Sequence, residues 1–291
     1  MPSPERTGKL SIGQALALGA LHGPAELLPI SSSGHVALVP WLLGWDYDSL
    51  DDDLRKSFEV VLHAGTAAAL MITLRGEVSS AVRDASLRRL TLSALSFAPA
   101  ALVGYSLEGP IERHLGSPAT IAAALAGGAL VMALADRTPQ ARTHEQAGAP
   151  DAIWLGVAQA CALYPGVSRN GATLAAARLR GFTRSDANRL SRHAALPVIA
   201  GASLLKAVRL RRRGLPPATA APFAAGAGAS FASALGSTWL IRQVERDRSL
   251  LPYAAYRIAL AGVVVRRLRA ARRGPQPGGL DQLRARSSPP T

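Results

Sequence analysis

The chain has a single cysteine, Cys161, and aromatic residues make up only 5% of it. One thiol excludes an intrachain disulfide framework and a thiolate zinc site. So few aromatics offer no stacking surface interleaved with the basic residues, and the net charge of +14 therefore does not read as a nucleic-acid footprint. No nucleic-acid partner is expected. No cleavable signal peptide is expected either, because residues 1–9 are short and polar and the apolar stretch that follows contains a glutamate and a histidine.

What is present is distributed unevenly. Hydrophobic residues make up 48% and the mean hydropathy is +0.16, values that suit an alanine-rich soluble protein about as well as a membrane protein. The 33 Lys and Arg sit mainly in clusters at 83–89, 178–192, 206–213 and 266–286, with long stretches almost free of charge between them. Basic clusters flanking apolar runs fit anionic headgroups beside a membrane. A hydrocarbon core of roughly 30 Å needs about 20 helical residues. Six stretches approach that length: 58–74, 90–107, 119–135, 194–210, 217–241 and 251–265. Small residues crowd them, as in Ala123-Ala124-Leu125-Ala126-Gly127-Gly128, a composition suited to close helix packing in lipid. The clusters fall on both sides of such an arrangement, so the positive-inside rule assigns no orientation.

Two further apolar regions are too short and too broken to span simply. Residues 10–45 are interrupted at 23–34, and residues 153–179 at 165–173. Each reads as half-helix, polar turn, half-helix, and irregular backbone at membrane depth is tolerated only inside protein or beside a water-filled cavity. Pro29-Ile30-Ser31-Ser32-Ser33-Gly34 can be laid on Pro165-Gly166-Val167-Ser168-Arg169-Asn170-Gly171 with one inserted residue. Three candidate spans follow each turn, an odd number, so a duplicated unit would be inverted relative to the first. The expected fold is an all-α polytopic membrane protein, with six spanning helices plus two re-entrant helical hairpins in an inverted repeat. A single membrane domain over 1–273 holds repeat one at about 8–135 and repeat two at about 151–267. Residues 274–291 are expected to be a disordered basic tail.

The turns carry the polar chemistry. In His22-Gly23-Pro24-Ala25-Glu26-Leu27-Leu28-Pro29-Ile30-Ser31-Ser32-Ser33-Gly34-His35, a carboxylate and two histidines lie in apolar sequence. They are costly there unless paired, hydrated or metal-bound. His22 and Glu26 have i,i+4 spacing and share a helix face if the helix runs through Gly23 and Pro24. Ser31 to Ser33 read equally as a helix N-cap. In the second turn, glycines allow close backbone approach, helix-start N–H groups point toward an anion, and Arg169 offers a planar fork for phosphate oxygens. Arg169 reads alternatively as the neutralising partner of Glu26 or as an arginine reaching an interface. A third stretch, Phe58-Glu59-Val60-Val61-Leu62-His63-Ala64-Gly65-Thr66, reads either as part of the same cavity or as structure.

These motifs together resemble the undecaprenyl-diphosphatase (bacitracin-resistance) family of bacterial membrane enzymes. The residues that carry the likeness are Glu26 with Leu28-Pro29-Ile30-Ser31-Ser32-Ser33-Gly34-His35, the Phe58 to Thr66 stretch, and Pro165-Gly166-Val167-Ser168-Arg169-Asn170-Gly171-Ala172-Thr173. Ala195-Leu196-Pro197-Val198 and Tyr256-Arg257-Ile258 also look like family positions. The resemblance implies a multi-pass protein of the bacterial inner membrane that hydrolyses undecaprenyl diphosphate to the monophosphate plus phosphate, recycling the cell-wall lipid carrier. By motif position, Glu26, Ser32, His35 and Arg169 match the family's catalytic residues. Ser31, Ser33, Ser168, Asn170, Gly171 and Thr173 line the turns as substrate-binding candidates, and Glu26 with His22 is the metal candidate. The implied cofactor is a divalent cation, Mg²⁺ or Ca²⁺. The implied partners are a polyprenyl diphosphate and membrane lipids, with a homodimer allowed.

Three positions depart from the family pattern. His22 stands where Glu or Gln is usual, Asn170 replaces a Ser, and Arg192 with His193 occupies a stretch that is ordinarily apolar. The expected chemistry is attack of Ser32 on the terminal phosphorus with His35 managing its proton, or direct attack of water with His35 or Glu26 as base. A transporter or flippase for a polyprenyl phosphate is the rival reading, since inverted repeats and midplane anion sites suit transport as well. An inactive homologue is the third reading, raised by His22 alone.

Overall fold

The computed structural model describes residues 9–83, 86–213, 217–246 and 249–273, so the tail expected to be disordered at 274–291 lies outside the described residues. Among the described residues every regular element is helical, apart from one isolated parallel bridge between Arg142 and Phe182.

Local chemistry sets the ends of the first elements. α1 (Ile12–Leu27) starts at a capping box in which Ser11 and Gln14 exchange hydrogen bonds, satisfying two otherwise orphaned donors. It runs through Gly23 and Pro24 and stops just before Pro29. α2 (Ser32–Leu43) follows after a short turn and ends at Gly44, whose φ of +69° suits a residue without Cβ. α3 (Asp52–Thr73) is capped by Asp51 and carries Asp52 and Asp53 in its first turn, where the helix dipole favours anions. α4 (Arg75–Arg83), α5 (Leu87–Leu115) and α6 (Pro118–Ala135) complete the first half.

The second half also begins with two short helices joined by a turn. α7 (Ala149–Cys161) and α8 (Arg169–Leu179) form a second hairpin, followed by α9 (Arg184–Arg213), α10 (Ala220–Gly236), α11 (Trp239–Arg246) and α12 (Leu251–Arg273). The stretch expected as one span at 217–241 is therefore two helices. The Ser237 N–H closes α10 on the Ser233 and Ala234 carbonyls, and the chain restarts as the amphipathic α11, which carries Arg242 and Arg246.

Two of the described helices are long and apolar enough to cross a membrane: α5 over Leu87–Leu107 and α6 over Pro118–Ala135. Leu90, Leu102, Leu130 and Leu134 project outward from them, an exposed apolar surface that a water-facing domain rarely carries.

Packing crosses between the halves. α1 lies along α10, α7 lies along α5, and α6 pairs with α12. Both hairpins achieve close contact through a glycine. A Cβ on Gly19 would sit 2.4 Å from the Gly226 carbonyl of α10, and one on Gly156 would sit 2.9 Å from the Ser96 carbonyl of α5. Leu18, Phe58, Leu62 and Phe223 fill the core beneath α1, and Ile121, Leu125 and Val264 fill the α6–α12 seam.

Candidate active site

Both turns use the same device. Ser31 (φ +78°) and Ser168 (φ +69°) precede α2 and α8, and each Oγ accepts a hydrogen bond from the glycine N–H three residues on, Gly34 or Gly171. The helix-cap reading of the serine run is thus correct for Ser31. It leaves the next residue, Ser32 in one turn and Arg169 in the other, at the first position of a helix with its side chain free.

Those two side chains meet on one carboxylate. Ser32 Oγ donates to Glu26 Oε2 at 2.5 Å, and Arg169 Nη2 donates to Glu26 Oε1 at 2.6 Å. Ser32 is buried, and Glu26 and Arg169 are only partly open. Asn170 Nδ2 donates to the carbonyl of Leu27, the last residue of α1, and so ties the second turn to the first. The Ser-to-Asn departure is therefore a cross-link between the turns.

Arg257 of α12 holds the turns from behind. Fully buried, it donates to the Pro29 carbonyl of the first turn and to the Gly166 and Val167 carbonyls of the second, with further bonds to Ala124 and Leu125 of α6. A Cβ on Gly128 would lie 2.2 Å from Arg257 Nη2, so that glycine makes room for the guanidinium. Sequence reasoning gave Arg257 no role; the signal available was an arginine inside an otherwise apolar span.

The expected pairing of Ser32 with His35 is not formed. His35 Nδ1 lies 2.7 Å from the Ser31 carbonyl, one helical turn back, and Nε2 lies 2.6 Å from Tyr256 Oη. Both ring nitrogens are thereby engaged, and the ring stacks on Tyr256. The carboxylate takes the serine proton's direction instead. Thr173 is also turned away: it is fully buried behind the turn, bonded to the Arg169 carbonyl and to Ser191 Oγ. Gly171 serves close packing, since a Cβ there would lie 3.0 Å from Arg257 Nη1 and 3.3 Å from the Pro29 carbonyl. Ser33 lies 3.4 Å from Ser31 Oγ.

On the other side of Glu26 lie two histidines from different helices. His22 of α1 and His63 of α3 stack edge to face with ring centroids 4.4 Å apart, and His63 Nε2 is 3.8 Å from Glu26 Oε2. The ligand atoms of His22, Glu26 and His63 all lie within 4.8 Å of one another. The Phe58 to Thr66 stretch therefore does reach the site. The third departure is accommodated too, because Arg192 Nε lies 3.2 Å from Glu77 Oε2 on α4.

Glu26, Arg169 and Asn170 form the polar floor of a groove whose wall is Ala67, Leu70 and Met71 of α3. A polar floor and an apolar wall suit a molecule with a charged head and a hydrocarbon tail.

An all-helical membrane protein in which a serine and an arginine from two helix starts converge on one half-buried carboxylate is the class that the fold and site define. The sequence profile of the family described as Bacitracin resistance protein BacA matches residues 15–263. The chain is 42% identical to the undecaprenyl-diphosphatase of Geobacter sulfurreducens over 270 residues, covering 88% of this chain and 98% of that protein. It is 40% identical to the undecaprenyl-diphosphatase of Geobacter metallireducens (86% and 96% covered) and 37% identical to that of Rubrobacter xylanophilus (88% and 97% covered). This chain belongs to the BacA bacitracin-resistance family.

Proposed function

We propose that this protein is an undecaprenyl-diphosphate phosphatase, releasing phosphate from the lipid diphosphate and leaving the lipid monophosphate. The observation that carries the reading is the shared contact of Ser32 and Arg169 with Glu26. A nucleophile and a phosphate fork each stand one hydrogen-bond length from the same base, and family membership supplies the substrate class. Transport of a lipid phosphate needs no hydroxyl held on a carboxylate, so the flippase reading lacks an observation of its own.

In this mechanism the diphosphate seats on Arg169 and on the first backbone N–H groups of α2 and α8, which face it with their helix dipoles. The prenyl chain lies along the α3 wall of the groove, in lipid. Glu26 takes the Ser32 proton as Oγ attacks the terminal phosphorus; the bond to the bridging oxygen breaks and the lipid monophosphate leaves. Water then attacks the phosphoserine phosphorus, the bond to Ser32 Oγ breaks, Glu26 returns its proton to Oγ, and inorganic phosphate departs with the protons of the water. Most of the rate enhancement comes from positioning and charge compensation, as phosphoryl transfer demands. His35 acts as a positioning residue, its ring bridging the Ser31 carbonyl and Tyr256. His22, Glu26 and His63 would hold a divalent cation, which would supply further charge neutralisation when bound.

The same reading gives the topology. α3, α5, α6, α9, α10 and α12 serve as six crossings, and the hairpins α1–α2 and α7–α8 enter without crossing, as one inverted repeat within a single domain in the bacterial inner membrane. The matching serine caps and the exchanged partners α1–α10 and α7–α5 support it.

The test is phosphate release from a polyprenyl diphosphate by the purified protein in detergent. Turnover by the parent chain, its loss in Arg169→Ala at normal protein level, and a phosphoserine at Ser32 trapped by rapid quench are expected. Full activity in Ser32→Ala removes the nucleophile from this account.

A further inference from the structure

The donor set beside Glu26 is unusual for a hard cation. Mg²⁺ and Ca²⁺ take oxygen ligands, whereas two imidazoles with one carboxylate suit Zn²⁺, Co²⁺ and related ions. The question is whether the two rings present lone pairs or N–H groups to Glu26, and the surrounding hydrogen bonds answer it.

His22 Nδ1 lies 2.8 Å from Thr66 Oγ1, Thr66 Oγ1 lies 2.7 Å from Ser230 Oγ, and Ser230 Oγ donates to the Leu62 carbonyl at 2.6 Å. A carbonyl only accepts, so the run has one direction. The Ser230 proton goes to Leu62, the Thr66 proton to Ser230, and the Nδ1–H of His22 to Thr66. That leaves His22 Nε2 as a bare lone pair, and among the described residues this atom is fully buried with no hydrogen-bond partner. His63 is set in the same way: Nδ1 faces the Glu59 carbonyl at 2.8 Å, so it carries a proton, and in the neutral ring Nε2 turns its lone pair toward Glu26. Two lone pairs and a carboxylate therefore face one small space. Such a group is mutually repulsive unless a cation sits among its members. At 3.8 Å the His63–Glu26 contact is too long for a hydrogen bond, so a proton shared between those two would leave His22 Nε2 still orphaned.

We infer that His22 Nε2, Glu26 and His63 Nε2 form a site for a borderline transition ion of the Zn²⁺ or Co²⁺ class, selected over Mg²⁺ and Ca²⁺. Two imidazoles and one glutamate are the protein ligands of several zinc hydrolases, which leave a fourth position for water or substrate. Bond lengths of about 2.0–2.2 Å place tetrahedral donors roughly 3.4 Å apart, so a contraction of about an ångström closes the group around an ion. Thr66 and Ser230 are the outer shell that fixes the His22 tautomer, as such shells do at metal-ligating histidines. Glu26 has lone-pair sites enough to ligate while accepting from Ser32 and Arg169. The inference deepens the phosphatase reading and rests on it for its purpose, while the binding itself is read independently of turnover.

The test is a Co²⁺ titration of the chelator-stripped full chain in detergent, read by visible absorption, with metal content measured after desalting. Uptake of one equivalent with ligand-field bands is expected. Zn²⁺ at equal concentration should abolish the bands, and Mg²⁺ or Ca²⁺ in large excess should leave them unchanged. His22→Gln and His63→Gln should each lose the bands while eluting and melting as folded protein. Thr66→Val should keep them and weaken Co²⁺ affinity about 10- to 100-fold. Displacement of Co²⁺ by equimolar Mg²⁺ or Ca²⁺, no Co²⁺ uptake, or either histidine variant titrating as the parent overturns the inference. Phosphate release followed in parallel separates the two claims. Hydrolysis in Mg²⁺ without Co²⁺ binding sinks the metal site alone, and Co²⁺ binding without hydrolysis under any metal sinks the phosphatase reading alone.

Discussion

Ser31 and Ser168, 137 residues apart in number, adopt the same left-handed backbone and the same cap. A non-glycine residue there costs about 1–3 kcal/mol and persists only where its surroundings hold it. Here each serine hydroxyl closes on the glycine three residues on, and Arg257 pins the carbonyls of Pro29, Gly166 and Val167 around them. The consequence is functional: two helix starts are aimed at one another, with Ser32 and Arg169 at their tips.

Removing either cap should therefore cost stability first. Ser31→Ala and Ser168→Ala should each lose about 1 kcal/mol, the usual worth of an N-cap side chain. Thermal denaturation in detergent measures this. No change in either variant would show that Arg257 alone holds the turns.

Arg257 should be among the least replaceable side chains outside the site. Arg257→Met leaves several buried carbonyls without a donor, at about 1–3 kcal/mol each, and should depress folded yield severely. Arg257→Lys keeps one charge and should fold, with a lower melting temperature and reduced kcat. A lysine variant matching the parent in both would reduce Arg257 to a space filler.

The reacting groups should respond differently from the clamp. Glu26→Gln and Arg169→Ala should each lower kcat about 10²- to 10³-fold, the range for removing one preorganised charge-stabilising group. Tyr256→Phe frees His35 Nε2 and should cost less than either, because Ser32 bonds to Glu26 and not to His35. Assays of phosphate release at matched protein level rank the three. A Tyr256→Phe loss equal to that of Glu26→Gln would restore His35 to the reaction.

Stability at low pH should report on Asp151, at the start of α7. Burial would raise its pKa, but the hydrogen bonds from Arg142, the Gly148 N–H and Arg180 outweigh that and hold it at about 2. A carboxylate more acidic in the folded chain than in the unfolded one stabilises the fold fully above its ordinary value of 3.8. That stabilisation is lost as pH falls from about 4 to about 2. Asp151→Asn should melt lower than the parent at pH 6 and lose this part of the acid slope. Parallel pH–melting curves check it, and an unchanged slope would remove Asp151 as its source.

Much of this was legible in the residues. Apolar runs separated by basic clusters, two broken helices with Pro-flanked turns, and the pairing of the serine turn with the arginine turn all follow from patterns local to the chain. The overlay of Ser31 on Ser168 held down to the backbone conformation. Other features were not legible, because they depend on side chains far apart in sequence. The break in 217–241 is a helix end between Gly236 and Trp239 that composition does not mark. Whether Ser32 turns to His35 or to Glu26 depends on Tyr256, 221 residues from His35, which occupies the imidazole.

By itself the sequence determined an alanine- and glycine-rich helical chain, its broken segments and the residue types of an anion site, since these depend on periodicity, hydropathy and short-range turn chemistry. Tertiary structure alone decided which groups touch. It laid α1 on α10, brought Ser230 behind Thr66, set the tautomer of His22 and chose Glu26 as the partner of both Ser32 and Arg169. Hydrogen bonds have a reach of about 3 Å and a direction, so their partners are fixed only when the helices have packed.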